Sequence, residues 1–300
     1  MDDPLSTIDT RDATVVGEAF DRAARTNLEA SCRRGSIDLV PLRGTLHATG
    51  DIHDNPLNLA RVLQLARLDE HTDDRPRHVI FHEVIHPDQL VGGVDHSWRS
   101  LLRIAALKTR HPESVHTLLA NHELAQIVGS GIVKDGVRVV DAFNEGIEAS
   151  FFDESARVQE AIEGFIRSMP LALRCGEWDE PGVVCAHSLP GDSVMERFDE
   201  TVLERELVEE DYEPRKGAAH LMVWGRHHSP ELLERLGERW GAALFVLGHQ
   251  KAETGAMLEP PNAIVLNSDH TRGVVLPIDL GDLPEAQEAV WSTVPLQTIS

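Results

Sequence analysis

Five short segments rich in potential metal ligands constrain this chain most strongly, because each directly follows an apolar run. The runs are short, rich in β-branched or aromatic residues, and interrupted by polar or glycine-containing sequence, a pattern that predicts buried β-strands. We expect the five strand ends to converge on one site, where carboxylate, imidazole and amide groups suit Mn²⁺, Fe²⁺ or Zn²⁺. The segments are GDIHDN after LHAT, HEVIH after HVIF, ANHE after VHTLL, CAHS after GVV and LGHQ after AALFV.

The sequence between the first three runs predicts helices. PLNLARVLQLARL follows the first ligand segment, with Asn55 and Pro56 near the start of the predicted helix, and SWRSLLRIAALKTR follows the second. Alternating strands and helices imply parallel strands with ligands at their carboxyl ends. Residues 125–170 are predicted to form a mostly helical cap, and an amphipathic helix is predicted within residues 1–36. The acidic stretch Thr201–Pro214 is interpreted as a solvated helix or a lid.

Length and ligand spread indicate one catalytic domain. A chain of 300 residues can bury a large core, and the ligand segments run from Asp51 to His249 without a break. We predict an N-terminal helical flank over residues 1–40, a catalytic domain over 41–285 and a tail over 286–300.

The net charge and the cysteine content limit which partners the protein is expected to bind and in which cellular compartment it is expected to occur. A formal net charge of −22 argues against nucleic acid, which is bound through clustered Lys and Arg. Cys32, Cys175 and Cys185 are an odd number at no zinc-like spacing, and the acidic start is unlike a secretion signal. No apolar run approaches the roughly 20 residues that cross a bilayer. We therefore expect a cytoplasmic protein that binds neither nucleic acid nor membrane.

The order of the segments resembles that of a known family. GDxH, an acidic residue after a strand, NHE, a lone His after a strand and then GHQ resemble the calcineurin-like metallophosphoesterases, particularly their phosphoprotein phosphatase branch. FIRSMPLALRC is similar to the family's helix and Pro-Leu strand before the lone His. The resemblance implies an α/β fold of mixed β-sheets flanked by helices with a helical cap. It also implies two divalent metals that share a carboxylate and activate water for attack on phosphorus.

The resemblance assigns a ligand set. It implies that Asp51 and His53 bind the first metal ion, that Glu83 bridges the two ions, and that Asn121, His187 and His249 bind the second. An amide oxygen such as that of Asn121 is a hard ligand suited to a site where carboxylates already supply charge.

The same resemblance implies catalytic roles for two further residues. His122 corresponds to the general acid, and an imidazole titrates near neutral pH. Its expected partner is Glu123 or a main-chain carbonyl. Arg226 is the first candidate to bind phosphate, and the alternatives are Arg43, Arg99 and Arg272. Asp269 and His270 follow another predicted strand and are interpreted as rim residues or a polar loop.

The HEVIH segment departs from the family pattern, in which a Gly-Asp pair is followed two residues later by Asp-Arg-Gly. Glu83 falls on the bridging Asp, His86 on the Asp that steadies the general acid, and Pro87 on a phosphate-binding Arg. His86 is accordingly a second candidate for the acid. A longer bridging side chain alters how the metals are held, and the missing guanidinium weakens recognition of a terminal phosphate.

HEVIH also matches the H-E-x-x-H motif of zinc proteases. That chemistry needs a helix, so that the two His residues share one face while the Glu acts as base. The β-branched flanks and the Pro87 that follows argue against a helix.

We therefore expect an enzyme that hydrolyses phosphate monoesters, first of all phosphoserine or phosphothreonine in a protein, and next a small phosphate ester. Hydrolysis of phosphodiesters or nucleotides is the nearest alternative. A non-catalytic metal-binding scaffold is a second alternative, and the zinc protease is a third.

Overall fold

The computed structural model describes residues 3–129, 131–134 and 136–300, and in this part of the chain most strands form two sheets. The larger is seven-stranded, and its central strands β9, β10 and β12 run parallel. Its spatial order is β1 (Arg33–Arg34), β2 (Ile37–Val40), β8 (Ala172–Cys175), β9 (Gly182–Ala186), β10 (Ala242–Leu247), β12 (Ala263–Leu266) and β11 (Ala256–Glu259).

The smaller sheet is five-stranded, with parallel β3, β4 and β5 at one side. Its order is β14 (Val294–Pro295), β13 (Val274–Asp279), β3 (Thr45–Thr49), β4 (Arg77–Phe81) and β5 (Val115–Thr117). A separate hairpin pairs β6 (Val133–Lys134) with β7 (Val137–Arg138). The mixed sheets predicted from the sequence are confirmed, and each of the five predicted runs forms a strand.

Helices cover these sheets. The prediction of helical sequence in residues 125–170 is confirmed for the described part, whereas positions 130 and 135 lie outside the described residues. The acidic stretch forms two short 3-10 turns, Val202–Glu204 and Glu209–Tyr212, rather than one helix. The helices are α1 (Ala13–Glu29), α2 (Pro56–Ala66), α3 (Trp98–Arg110), α4 (Asn121–Val128), α5 (Val139–Phe151), α6 (Ser155–Arg167), α7 (Ala218–Val223), α8 (Pro230–Trp240) and α9 (Ala286–Ser292).

The first strand-to-helix connection shows how the sequence shapes the turn that carries the predicted ligands Asp51 and His53. Asn55 is the N-cap of α2, and its side-chain oxygen accepts a hydrogen bond from the backbone N–H of Asn58. Pro56 occupies the first turn, where its missing N–H costs no helical hydrogen bond. The turn between Thr49 and Pro56 is therefore fixed at both ends, and it holds the first ligand segment in place.

Both faces of the central strands are buried, which explains their unbroken apolar sequence. In β9, Val183 and Cys185 belong to the core between the two sheets, whereas Val184 and Ala186 face the core shared with the helices. The same alternation holds along β10. The two cores fix both sheets rigidly, so the loops at the strand ends have defined positions.

The N-terminal helix α1 is part of the main core. Val16, Phe20 and Ala23 are buried in it, and the Phe20 ring lies 5.7 Å from that of Phe165 in α6. The predicted domain boundary at residue 40 remains a prediction. The strand that ends there, β2 (Ile37–Val40), pairs with β8 inside the larger sheet. Among the described residues, no helix combines the length and apolarity needed to span a membrane.

Candidate metal centre

The strand ends bring the predicted ligands together at one edge of the two sheets. Asp51 follows β3, and Glu83 follows β4. Asn121 is the first residue of α4, shortly after β5, while His187 follows β9 and His249 follows β10. Parallel strands place their carboxyl ends on the same side, so chemistry-bearing residues from five loops meet there.

Glu83 lies at the centre of the cluster, with its two oxygens directed at different imidazoles. Its Oε1 is 3.0 Å from His53 Nε2 and 3.5 Å from His122 Nε2. Its Oε2 is 2.7 Å from His187 Nε2. One carboxylate therefore separates two groups of potential ligands, which is the placement expected of a bridging residue.

The remaining predicted ligands lie on the His187 side of Glu83. The Asn121 Oδ1 is 2.6 Å from His187 Nε2. The Asp51 carboxylate accepts a hydrogen bond from the His249 backbone N–H at 3.0 Å, and its Oδ1 lies 3.6 Å from His187 Nδ1. His53 contacts Glu83 instead, so the assignment of Asp51 and His53 to one ion stays a prediction.

The HEVIH segment is not helical. It begins where β4 ends, and Glu83 and His86 have φ values of 47° and 60°, in the left-handed region that non-glycine residues seldom adopt. The shared helical face that the zinc protease motif requires is therefore absent from residues 82–86, and the protease interpretation is wrong. His53 and His249 are also left-handed, at 42° and 64°. Such strain concentrates at functional sites.

His122 contacts His86, a partner that the sequence did not suggest. Its Nδ1 lies 2.9 Å from His86 Nδ1. Glu123 instead accepts hydrogen bonds from the backbone N–H groups of Val84 and Ile85, at 2.7 and 3.3 Å, and so holds the HEVIH loop in place. Burial, followed by the charge of Glu83, raises the pKa of Glu123 to about 7.

Gly248, the residue before His249, lies too close to neighbouring side chains for a larger residue to fit. A Cβ atom on Gly248 would lie 2.4 Å from Asp51 Oδ1 and 2.5 Å from His82 Cε1, so a larger residue would displace both groups. The glycine before Asp51 is confined in the same way. A Cβ on Gly50 would lie 1.9 Å from the Leu266 carbonyl oxygen.

A cleft of about 930 Å³ opens onto this cluster. Arg226 lies on it, and its Nε donates a hydrogen bond to His249 Nε2 at 2.9 Å. His187 and His86 are fully buried and do not line the cleft. The sequence-predicted residues that line it are Asp51, His53, Glu83, Asn121, His122, Arg226 and His249, together with Asp269, His270 and Arg272, whereas Arg43 and Arg99 do not.

Buried charges dominate the electrostatics of the site. Burial and the neighbouring Glu83 raise the pKa of Asp51. Burial alone would also raise the pKa of Glu83, but His187, His122 and His53 overcome it and hold that pKa well below its usual range. The same Glu83 charge overcomes burial at His187 and raises its pKa. Two carboxylates in one buried space repel each other, and a cation between them removes that repulsion.

A second observation also indicates that these residues fit a divalent metal. Glu83 Oε2 is buried, and its short contact with His187 is not aligned as a hydrogen bond, so none of the described residues donates one to it. Side-chain atoms close enough to ligate one ion occur in three groups here, namely Asp51, His82 and His187; His53, Glu83 and His122; and Glu83, His187 and His249. A buried oxygen that lacks a donor beside imidazole nitrogens is the environment that a cation would complete.

Sequence reasoning did not assign roles to several residues that the structure places here. His82 lies 3.5 Å from Asp51 Oδ1 although it stands where the family has glycine. Lys251 and Asn267 line the cleft. The position of His82 directly after a strand and beside Glu83 was the available indication, whereas nothing in the local sequence distinguishes Asn267.

No family model matches this sequence, and no curated protein matches it. Solved structures do. A protein serine/threonine phosphatase from Saccharomyces cerevisiae, with similarity to human phosphatase PP5, aligns with a TM-score of 0.67 and 13% identity over 89% of this chain and 82% of that chain. A cold-active protein-tyrosine phosphatase of the psychrophile Shewanella sp. aligns with a TM-score of 0.57 and 15% identity over 86% and 82%. The chain therefore has the calcineurin-like α/β fold of the serine/threonine phosphatase, as the sequence resemblance predicted.

Proposed function

We propose that this protein is a metal-dependent phosphatase that hydrolyses phosphate monoesters. The observation that carries the proposal is the position of Glu83, whose two carboxylate oxygens each face a separate group of potential ligands at the floor of an open cleft. A residue that serves only the fold would not need strained backbone at the end of a strand to reach that position.

Two divalent ions are the proposed cofactors, with Mn, Fe or Zn as candidates. Asp51, His53 and Glu83 would hold one ion, and Glu83, Asn121, His187 and His249 the other. When bound, such a pair of ions supplies Lewis-acid stabilisation of the phosphoryl group and lowers the pKa of water. The protein supplies the rigid strand ends that fix the ligands.

Arg226 and His122 are proposed to act on the substrate. Arg226 is exposed, lines the cleft and is tied to His249 through its Nε, so its terminal nitrogens are available for phosphate oxygens. His122 lines the same cleft with its Nε2 near Glu83. From there it would donate a proton to the departing oxygen.

A phosphorylated protein, through phosphoserine or phosphothreonine, is the first proposed substrate, followed by small phosphate esters. The cleft is open, and Ile132, Val133 and Trp224 add apolar surface to its polar floor. Pro87 replaces the second guanidinium of the family pattern, which keeps phosphodiesters and nucleotides as the competing substrate class. The three free, buried cysteines fit the proposed cytoplasmic location.

Metal analysis alongside a panel of esters tests this proposal. The purified protein should contain about two divalent ions per chain and hydrolyse phosphoserine peptides and aryl phosphates faster than bis-aryl phosphodiesters. Two bound ions without turnover of any ester would identify a metal-binding scaffold instead. A strong preference for diesters would replace the phosphomonoester assignment.

A further inference from the structure

The two histidines of HEVIH lie behind the residues that line the cleft, and neither of them lines it. His82 and His86 have exposed fractions of 1% and 0%, and they flank Glu83. Each faces one imidazole of the site, with His82 Nδ1 at 3.0 Å from His187 Nδ1 and His86 Nδ1 at 2.9 Å from His122 Nδ1. Two ring nitrogens at this distance share one hydrogen, so one ring of each pair donates and the other accepts.

The direction of the first hydrogen bond follows from the outer nitrogen of His82. His82 Nε2 lies 3.0 Å from the Thr49 carbonyl oxygen, which only accepts, so His82 carries its hydrogen on Nε2. A neutral ring is favoured in so buried a position, and it then has a lone pair on Nδ1. His187 therefore donates from Nδ1.

This tautomer has a consequence at the inner nitrogen of His187. Its Nε2 lies 2.6 Å from Asn121 Oδ1 and 2.7 Å from Glu83 Oε2, and both oxygens only accept. Because Nδ1 is already engaged by His82, Nε2 is the nitrogen of this ring that would ligate a cation beside those two oxygens.

A second chain of hydrogen bonds fixes His86 in the same way. Gln126 donates from Nε2 to Asn144 Oδ1 at 2.7 Å, which turns its Oε1 toward His86 Nε2 at 3.3 Å. His86 therefore carries its hydrogen on Nε2 and accepts at Nδ1 from His122. The His122 Nε2 is then directed toward Glu83 and the cleft.

We infer that His82 and His86 are positioning residues, which fix His187 and His122 in the tautomer with hydrogen on Nδ1, and that Gln126 and Asn144 hold His86 in that role. The inference rests on the proposed function, since it assigns the two fixed imidazoles to metal binding and proton donation. Under this inference His86 is no longer a candidate for the general acid. It lies behind His122 and holds that ring in place.

Charge explains why imidazoles suit this task here. The family pattern places an Asp where His86 stands, and a carboxylate could accept the same hydrogen bond. Asp51, Glu83 and Glu123 are already buried around the site. A neutral acceptor orients its partner without adding to the repulsion among these carboxylates.

The tautomers can be measured directly in the unaltered protein. Nitrogen-15 NMR of histidine-labelled protein should show His82 and His86 protonated only at Nε2, and His187 and His122 protonated at Nδ1. The opposite tautomers in either pair would overturn the inference. This readout needs no turnover, so it stands even if the protein hydrolyses no ester, a result that would remove the proposed function alone.

Substitution of Gln126 tests the part of the inference that concerns His86 and His122. Gln126→Leu should lower kcat for phosphoserine about 10–100-fold, the usual cost of losing an outer partner, and should slow nitrophenyl phosphate less. Gln126→Glu keeps an acceptor oxygen and should restore most of that rate. Gln159→Leu is the matched control, because Gln159 lines the same 190 Å³ cavity as Gln126 and Asn144. Equal slowing by Gln126→Leu and Gln159→Leu would show a packing effect and overturn this part of the inference.

Metal affinity tests the part of the inference that concerns His82 and His187. His82→Asn should weaken metal binding about 10–100-fold in titration calorimetry, because His187 is no longer held in the ligating tautomer. Circular dichroism must show a folded variant. Unchanged affinity in that folded variant would overturn the assignment, and if the variant does not fold, the NMR measurement decides.

Discussion

Two buried clusters of similar residues differ in the charges that surround them. The site cluster, Asp51, His53, Glu83, Asn121, His122, His187 and His249, lies beyond the carboxyl end of β4. The inter-sheet cluster, Asp38, His78 and His116 with Arg33 and Lys108, lies near its amino end. Cys32, Asp38 and His116 are also close enough to ligate an ion. Residue type and proximity therefore do not separate the two clusters.

In the inter-sheet cluster, cations of the protein already neutralise the carboxylate. Asp38 is 3.0 Å from Arg33 Nε, 2.7 Å from His116 Nδ1 and 4.0 Å from Lys108 Nζ. Burial would raise the pKa of Asp38, but these three groups overcome it and lower that pKa. Burial, together with Asp38, also raises the pKa of the Cys32 thiol, which disfavours the ligating thiolate.

The site cluster has the opposite arrangement. Asp51 and Glu83 face imidazoles, and Arg226 at the edge bonds to His249 rather than to either carboxylate. Glu83 Oε2 accepts no hydrogen bond from the described residues. The contrast indicates that, in the described part of the chain, the lack of a Lys or Arg beside the carboxylates, more than a set of ligand atoms, distinguishes the proposed metal site from the inter-sheet cluster.

Removal of the shared carboxylate should have the broadest effect, because it should change both metal content and turnover. Glu83→Gln should lower both metal contents and reduce turnover about 10³-fold, because Lewis-acid stabilisation worth several kcal/mol is lost. Metal analysis and kcat for an aryl phosphate measure the two effects. If the variant retained both ions, another residue would have to bridge them, and the contrast between the two clusters would not hold.

His122→Asn should affect chemistry without affecting metal content. Turnover of phosphoserine should fall about 10²–10⁴-fold, the range of general acid catalysis, while nitrophenyl phosphate should slow far less because its leaving group needs little protonation. Equal slowing of both substrates with full metal content would assign His122 to phosphate binding. Loss of metal would instead make His122 a ligand beside His53 and Glu83.

The inter-sheet carboxylate should matter for stability alone. Asp38→Asn leaves buried Lys108 and partly buried Arg33 with less opposing charge, and should lower the free energy of unfolding by about 3–5 kcal/mol. Urea unfolding gives this value. The folded fraction should keep its metal content, and a drop of one ion per chain would show that Asp38 belongs to a metal site after all.

Arg226→Ala should raise KM for phosphate monoesters about 10–100-fold, the cost of a charge-assisted hydrogen bond, and should raise it less for diesters, which present one anionic oxygen fewer. Arg272→Ala removes another guanidinium that lines the cleft and serves as the comparison. Equal changes in KM for monoesters and diesters would take Arg226 out of the phosphate pocket.

The sequence predicted the site cluster because its parts are local. Each segment of predicted ligands directly follows its own apolar strand, and Asn55 and Pro56 identify the start of α2 from neighbouring residues alone. The position of Glu83 could be predicted, and so could the non-helical HEVIH, because Pro87 and the β-branched flanks act over a few residues.

The inter-sheet cluster could not be predicted, because its members meet only through strand register. Asp38 lies on β2 of one sheet and His116 on β5 of the other, and His78 and His116 approach each other because β4 and β5 pair in parallel. The partner of His122 was missed for the same reason, since the loop that carries His86 folds back onto α4. Long-range pairings of this kind leave no periodicity in the sequence.

The smallest expected effect is a pH dependence of stability that belongs to the inter-sheet cluster. Burial, reinforced by the charges of His116 and His71, lowers the pKa of His78 to about 3. Asp38 acts in the opposite direction without restoring it, and none of the described residues hydrogen-bonds to His78 Nε2.

Because the folded state holds His78 neutral, its contribution to stability is complete above the unfolded pKa of about 6.5 and is lost as pH falls from there toward 3. Wild-type protein should therefore lose about 1.4 kcal/mol more per pH unit than His78→Asn between pH 6 and 4. Urea unfolding at several pH values in EDTA measures the two slopes and removes the contribution of metal release. The absolute stability of the variant does not matter, since a cavity shifts both ends of its curve alike. Parallel slopes would mean that His78 gains its proton in the folded state as readily as in the unfolded chain, and that the inter-sheet cluster tolerates further positive charge beside Arg33 and Lys108.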